Sequence, residues 1–337
     1  MLIAFELSGE HRTLPRSEVI ACLESLAADF GIYLSLDGCL IVDLRNNVGH
    51  IIEALSKRLS MTHHIINVLG ISGISEVDIV DSVDRSRPRI QETYSIRVRR
   101  IKGCSTIDAG LMERRIGGIF FKSGAKADLK NPGIQFRLIL TENKAIFGML
   151  SSSIDRSAFE ARKPHYKPFF YPGVLMPRVA LALVNIAKPE RSIFDPFCGT
   201  GGILVEAGFI GLFVLGGEMQ RKLLLGAKMN LDHYKVNYSL MFGDACSMAI
   251  RNDSIDAVVT DPPYGRSAAI KAESMEHLLT GSLKEIYRVL KPNKRAVFIS
   301  DREIYNHAEK AGFKLIELHL QRVHKSLTRR IHVLEKN

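Results

Sequence analysis

Four short stretches of this 337-residue chain carry residue types able to hold a charged small molecule and to grip an amine. The first is Asp195-Pro196-Phe197-Cys198-Gly199-Thr200-Gly201-Gly202. Glycines between a strand and a helix let a ligand approach the backbone closely. A dinucleotide fingerprint, G-x-G-x-x-G, would need glycine at 204, where Leu204 stands. The leading acid would also repel a pyrophosphate, so a ligand with an amine or sulfonium centre suits the loop better. Taken alone, the loop is moderately specific, a tight turn with no ligand being the lesser reading. The second stretch is Gly216-Gly217-Glu218. An acid at a strand end either accepts two hydrogen bonds from ribose hydroxyls or caps the next helix from the surface. The third, Gly243-Asp244-Ala245, offers Asp244 to an adenine amino group, although Gly-Asp is a common turn.

The fourth, Asp261-Pro262-Pro263-Tyr264-Gly265, is the most specific. Two prolines fix the backbone and remove two N–H donors, leaving carbonyls free to accept. A carboxylate, a carbonyl acceptor and an aromatic face then lie together, a set that grips a planar –NH2 group on a stacked base. A plain turn accounts for one proline but not for this set following Gly199, Gly201 and Glu218 in order.

These loops need a scaffold that brings strand ends together. From Pro177 onward the chain alternates regularly between strand and helix. Strands are expected at 192–194, 213–217, 239–242, 255–260, 296–300, 315–320 and 331–334. Helices are expected at 178–187, 203–207, 219–231, 275–290 and 305–311. Such alternation forms a parallel sheet with helices on both faces, and ligands bind at the carboxyl ends of its strands. The first third mixes strands (2–6, 32–36, 63–69, 94–101, 135–141 and 145–150) with helices (15–29, 51–59 and 107–115), as in small α+β units. Gly117-Gly118 is expected to end the last of these helices. Ser151-Ser152-Ser153 and the prolines at 164, 168, 172 and 177 place a boundary and linker at about 151–162.

Charge is uneven. The chain has 46 Lys+Arg against 36 Asp+Glu, a net charge of +10. Residues 85–137 hold 13 basic side chains against 4 acidic ones, an excess of +9. That imbalance exceeds what internal ion pairing absorbs, so a polyanion, most commonly nucleic acid, is the expected partner. His319, Arg322, His324, Lys325, Arg329, Arg330 and His332 form a second basic zone, and the two zones together could clamp one extended anion. The apolar content of 46% with 24% charged residues excludes a wholly disordered chain. No apolar run reaches the roughly 18 residues of a membrane helix. The N-terminus shows no secretory pattern, so the cytoplasm is expected. Cys22, Cys39, Cys104, Cys198 and Cys246 form no C-x-x-C pair, so no zinc ribbon or disulfide framework is suggested. His63-His64 would point to opposite faces of a strand, so no shared metal is expected.

The loops resemble those of class I S-adenosylmethionine-dependent methyltransferases acting on exocyclic amines, in which the D/N-P-P-Y loop holds the target amine. Arg162-Lys163-Pro164-His165-Tyr166-Lys167-Pro168-Phe169-Phe170-Tyr171-Pro172-Gly173, followed by 176–185, resembles the segment before the first strand in the archaeal tRNA guanine-10 N2-methyltransferases. Asp128-Leu129-Lys130-Asn131-Pro132-Gly133 resembles the end of a THUMP domain, and Ser8-Gly9-Glu10-His11 with Leu14-Pro15 resembles the N-terminal ferredoxin-like domain of those enzymes. The resemblance covers nearly the whole chain. Glu218 stands where relatives often carry Asp.

The resemblance implies an α/β chain. Its C-terminal Rossmann-like methyltransferase domain would span 163–337, with a mostly parallel seven-stranded sheet. Ahead of it would come an α+β ferredoxin-like domain over 1–60, a THUMP domain over 61–150 and a linker over 151–162. It implies S-adenosylmethionine as cofactor and tRNA as partner, with a small zinc-ribbon activator subunit as a further candidate partner and no membrane. His165, Pro172, Asp195, Phe197, Gly199, Thr200, Gly201, Glu218, Met219, Asp244, Ala245 and Asp261 would hold the cofactor, and no metal is expected. Asp261, Pro262, Pro263 and Tyr264 would act on the target amine. Phe169 or Phe170 would cover the other face of the base or pack in the core. Arg97, Arg99, Arg100, Lys122, Lys126 and Lys130 would meet RNA phosphates. The implied reaction is methylation of guanosine N2 at position 10 of tRNA, once or twice. Adenine-N6 methylation of RNA or DNA is the alternative with the same loops, and a non-catalytic RNA-binding protein the alternative without chemistry. Thiouridine synthesis would need an S-G-G-x-D-S loop, which the chain lacks.

Overall fold

The computed structural model describes residues 1–102, 106–264 and 272–337, the side chains of 272–274 excepted. Cys104 and Gly265 lie outside the described residues. The chain divides into two units. One comprises Met1–Arg16, Leu26–Lys57 and Met61–Asp155, and the other Ser17–Ser25, Arg58–Ser60 and Arg156–Asn337.

As far as residue 153 the elements run β1 (Leu2–Leu7), α1 (Leu14–Ser25, most of which belongs to the second unit), β2 (Phe30–Leu36), β3 (Cys39–Leu44), α2 (Val48–Arg58), β4 (Thr62–Gly73), α3 (Glu76–Ser86), β5 (Tyr94–Arg100), α4 (Ala109–Lys122), β6 (Ile134–Thr141) and β7 (Lys144–Ser153). Their strands form one seven-stranded sheet, ordered β2-β3-β1-β4-β7-β6-β5. All pairs are antiparallel except β5 with β6. The stretches 1–60 and 61–150 therefore share a sheet. β1 pairs with β3 on one side and β4 on the other, and Ala4, Cys39 and Ile41 pack with Ile66, Ile139 and Ile146.

Two expectations for this unit are corrected. α4 runs straight through Gly117-Gly118. Asp108 caps its start, accepting from the Leu111 amide at 2.7 Å, while Met112, Ile116 and Phe120 bury one stripe. Phe120 packs at 4.6 Å between ring centroids on Phe136, which stacks on Phe147. Burying a phenylalanine contributes about 1.5–3 kcal/mol. That offsets about 1 kcal/mol lost per helical glycine. β3 and α3 were not foreseen. β3 opens on four consecutive buried apolar residues, Cys39–Val42, so it shows no alternation. α3 carries a local signal that could have found it: Ser75 accepts from the Asp78 amide at 3.1 Å, ahead of buried Ile79 and Val83.

The second unit continues with α5 (Ser157–Ala161), a 3-10 turn at Pro164–Tyr166, α6 (Pro177–Ile186), β8 (Ser192–Asp195), α7 (Gly202–Phe209), β9 (Phe213–Glu218), α8 (Arg221–His233), β10 (Tyr238–Phe242), β11 (Ile255–Thr260), α9 (Ala272–Val289), β12 (Leu290–Ser300), α10 (Tyr305–Ala311), β13 (Phe313–His324) and β14 (Leu327–Lys336). The sheet order is β10-β9-β8-β11-β12-β14-β13. The first five strands are parallel, and β14 runs antiparallel between β12 and β13. β11 is buried at every position, as befits a central parallel strand covered on both faces. The strand order reverses between β8 and β11, and that switch point opens a crevice at the carboxyl ends of the strands. Of the expected linker, Ser152 and Ser153 still pair with Ile65 and His64, and residues 157–161 form α5. Among the described residues no helix is long and apolar enough to cross a membrane.

Candidate active site

β8 ends on Asp195, and the chain then turns through Pro196–Gly201 into α7. Gly199 and Gly201 have φ of +53° and +75°, the left-handed region where a Cβ is strained. Gly201 is the N-cap of α7. The Gly201 amide donates to the Cys198 carbonyl at 2.8 Å, which closes the turn.

Asp195 is only 2% exposed. Its Oδ1 accepts from the Thr260 hydroxyl at 2.6 Å and from the Phe197 amide at 3.1 Å. Burial pushes its carboxyl up to about 7, against the pull of those two donors and with help from the Asp261 and Glu218 carboxylates. Glu218, the last residue of β9, is buried as well. Its Oε2 accepts from the Gly199 amide at 3.0 Å and its Oε1 from the Gln220 amide at 2.9 Å. Glu218 therefore shapes the glycine loop, a role its sequence context did not suggest. These bonds use one lone pair on each oxygen and leave acceptor capacity toward the cavity. Asp244 accepts from the Cys246 amide at 2.9 Å in an Asx turn that holds Ala245 against the cavity.

β11 delivers the double-proline loop to the same place. The Tyr264 hydroxyl donates to Asp261 Oδ1. Arg329 of β14 lies 3.3 Å from Asp261 Oδ2 through Nη2 and donates from Nε to the Tyr264 hydroxyl at 3.1 Å. Its Nη2 also donates to the Gly173 carbonyl at 2.9 Å. Burial raises the Asp261 carboxyl above the ordinary aspartate range, while Arg329 and Tyr264 pull it back down.

A cavity of about 480 Å³ joins these groups. That volume lies within the roughly 300–1,000 Å³ of small-molecule sites. Of the residues expected to act there, Pro172, Asp195, Phe197, Gly199, Thr200, Glu218, Met219, Asp244, Ala245, Asp261, Pro262, Pro263 and Tyr264 all line it. His165 and Gly201 do not. His165 is exposed on the 3-10 turn, its ring 4.1 Å from that of Tyr166. Gly201 packs toward Ala227 and Leu231 of α8. Neither phenylalanine expected to cover the base lines the cavity. The Phe169 ring fills the space above Gly226 of α8, and its backbone is held at 2.9 Å on both sides by Asn230, while Phe170 is exposed. The aromatic supplied by that segment is Tyr171, which lines the cavity with Val174 and Leu175.

The first unit shows where the expected phosphate contacts sit. Lys122, Lys126 and Lys130 are exposed. Arg97 and Arg100 donate to the Leu129 and Ile107 carbonyls at 3.2 and 3.1 Å, and Arg99 lies 3.8 Å from Glu6. Arg137, counted in the same basic stretch, is buried and donates through two nitrogens to Glu6. The second basic zone divides. Arg322, His324 and Lys325 are exposed, whereas Arg329 belongs to the site, His319 pairs with Glu317 at 2.9 Å and His332 is wholly buried with its pKa lowered to about 4 by desolvation.

A switch-point crevice with an acid-led glycine loop, a strand-end glutamate and an Asp-Pro-Pro-Tyr loop defines a class I methyltransferase. Residues 164–331 match the family described as UPF0020: RMKL-like, methyltransferase domain. The chain is 33% identical to the tRNA (guanine(10)-N2)-dimethyltransferase of Methanothermobacter thermautotrophicus, over 98% of each chain. It is 30% identical to the enzyme of the same name from Methanocaldococcus jannaschii, over 99% of this chain and 100% of that one. In fold it matches TrmN from Thermus thermophilus with a TM-score of 0.58 and 22% identity, over the whole of both chains. The chain belongs to the tRNA (guanine(10)-N2)-methyltransferase family. Its cofactor is S-adenosylmethionine. The donor set fits that group: a buried carboxylate at the glycine loop suits a cationic amine, and Glu218 and Asp244 supply acceptors along the same wall.

Proposed function

We propose that this chain methylates the exocyclic N2 of guanosine at position 10 of tRNA, once or twice. The observation that carries the reading is the convergence of Asp261 and Tyr264 with Asp195, Gly199 and Glu218 on one cavity. An amine-gripping loop thus opens onto the cofactor pocket.

Bound S-adenosylmethionine supplies an electrophilic methyl group on a sulfonium sulfur. The protein's own work is to hold and orient. Asp195 anchors the amine end of the cofactor, Glu218 the ribose hydroxyls, and Asp244 with the Ala245 amide the adenine. The guanine leaves its stack to be reached, and Tyr264 stacks on it. Its N2, whose lone pair is spread into the ring, donates to the Asp261 carboxylate and the Pro262 carbonyl. Those bonds turn the amine toward tetrahedral geometry and favour the positive charge that develops on nitrogen. Asp261 need not take the proton, because the methylated ammonium can lose it to water.

The proposal extends to the rest of the chain. Residues 1–60 and 61–150 act as ferredoxin-like and THUMP modules that hold tRNA, 151–162 as the linker and 163–337 as the catalytic domain. The cytoplasm is the site of action, in keeping with free thiols at Cys22, Cys39, Cys198 and Cys246. A small zinc-ribbon activator suits the edge strand β10, where Phe242 is exposed, as are Leu225 and Met229 of the neighbouring α8.

The test is incubation with unmodified tRNA and labelled cofactor, followed by nucleoside mapping. The expected product is N2-methylated guanosine at position 10. Asp261→Ala should lose about 100-fold or more in turnover, with cofactor and tRNA binding retained. N6-methyladenosine, or near-normal turnover of the variant, would overturn the reading.

A further inference from the structure

Arg329 stands 65 residues downstream of Tyr264, on β14 between β12 and β13, and belongs to none of the four loops. It is 8% exposed. A buried guanidinium is costly unless its fork is satisfied, and here each contact is specific. Nε donates to the Tyr264 hydroxyl, and that hydroxyl donates onward to Asp261 Oδ1. Nη2 donates to the Gly173 carbonyl and lies beside Asp261 Oδ2. One planar group thus links the double-proline loop to Gly173 of the 171–175 segment, with its charge against the carboxylate.

We propose that Arg329 is a positioning residue for methyl transfer, holding Asp261 as an oriented anionic acceptor and fixing the Tyr264 ring beside it. This rests on the reading that Asp261 receives the target amine. The groups facing Asp261 are Arg329 from β14, Tyr264 from its own loop and Asp195 from the end of β8. Asp195 repels a negative charge there and burial disfavours it, while Tyr264 supports it by donating a hydrogen bond but carries no charge. Arg329 is the cation among them. Without it Asp261 takes up a proton at higher pH and becomes a donor where an acceptor is needed. Lysine keeps the charge but cannot span Tyr264, Asp261 and Gly173 with one rigid fork.

The experiment compares full-length wild type, Arg329→Gln and Arg329→Lys by two readouts. The first is kcat and KM for tRNA across pH, with the cofactor Kd. The second is a 13C NMR titration of the Asp261 side-chain carboxyl, assigned by its loss in Asp261→Asn. Arg329→Gln should lower kcat about 100-fold, with cofactor Kd within about twofold, and raise the Asp261 midpoint and the acid limb of kcat by about one pH unit or more. Arg329→Lys should hold the midpoint close to wild type yet still lose kcat. An unchanged midpoint in Arg329→Gln, or wild-type kcat in either variant, overturns the proposal. If Arg329→Gln does not fold, Arg329→Lys decides by the same two readouts. Failure of the wild-type chain to methylate guanosine counts against the proposed reaction, and the titration then decides the role of Arg329 alone.

Discussion

Thr260 donates its hydroxyl to Asp195 Oδ1 at 2.6 Å, joining the last residues of the two central parallel strands. Thr260 immediately precedes Asp261. This one bond therefore ties the end of β8 to the residue that leads into the double-proline loop.

Thr260→Val keeps the shape of the strand and removes the donor. Asp195 Oδ1 keeps the Phe197 amide, so the loss is that of one hydrogen bond, about 0.5–1.5 kcal/mol. The variant should fold, melt lower and bind S-adenosylmethionine more weakly by up to about tenfold (1.4 kcal/mol). Calorimetric titration of cofactor into both proteins checks this, and equal affinities would remove the bond from the account.

Asp195 sets a pH dependence of stability. Its folded-state pKa of about 7 lies above the ordinary 3.8 because burial favours the neutral acid. The folded state then binds more protons than the unfolded state between those values, so this group's contribution to stability falls as pH rises through that window. Above about 7 the loss is complete and the curve flattens. Asp195→Asn stays neutral, so the cofactor-free variant should gain on wild type from pH 4 to 7 in urea unfolding. A constant difference across that range would contradict the assignment.

Arg162 and Glu206 form a buried pair. The guanidinium donates to both carboxylate oxygens at 2.9–3.2 Å, with the Phe159 and Phe209 rings 4.8 and 4.2 Å from its centre. Glu206 has no exposed surface. Glu206→Ala strands the cation and should cost roughly 3–5 kcal/mol. Lys57→Ala breaks an exposed i,i+4 pair with Glu53 and should leave the melting temperature almost unmoved. Thermal unfolding of the two variants side by side gives the comparison.

Lys122, Lys126 and Lys130 are exposed in the stretch of greatest positive excess. Replacing all three by alanine should weaken tRNA binding and make the slope of log K against log salt shallower by about 2–3. Turnover at saturating tRNA should stay near wild type. Filter binding at several salt concentrations tests it, and an unchanged slope would place the phosphate contacts elsewhere.

The sequence by itself determined the strand–helix alternation of the catalytic unit and the order in which its loops follow one another. Each loop is a contiguous motif at the end of one strand, and a parallel sheet necessarily brings such ends to one edge. Asp195, Glu218, Asp244 and Asp261 could thus be placed together before any coordinates. What only the tertiary structure decided depends on contacts between distant residues, which leave no local period. Arg329 looked like part of a basic tail and instead reaches Asp261 and Gly173. Phe169 read equally as a cover for the base or as core, and packing over Gly226 decided between them. α4 outran its two glycines because Phe120 found the rings of Phe136 and Phe147. Packing, which rewards burial wherever the chain supplies it, overrode local propensity at each of these points.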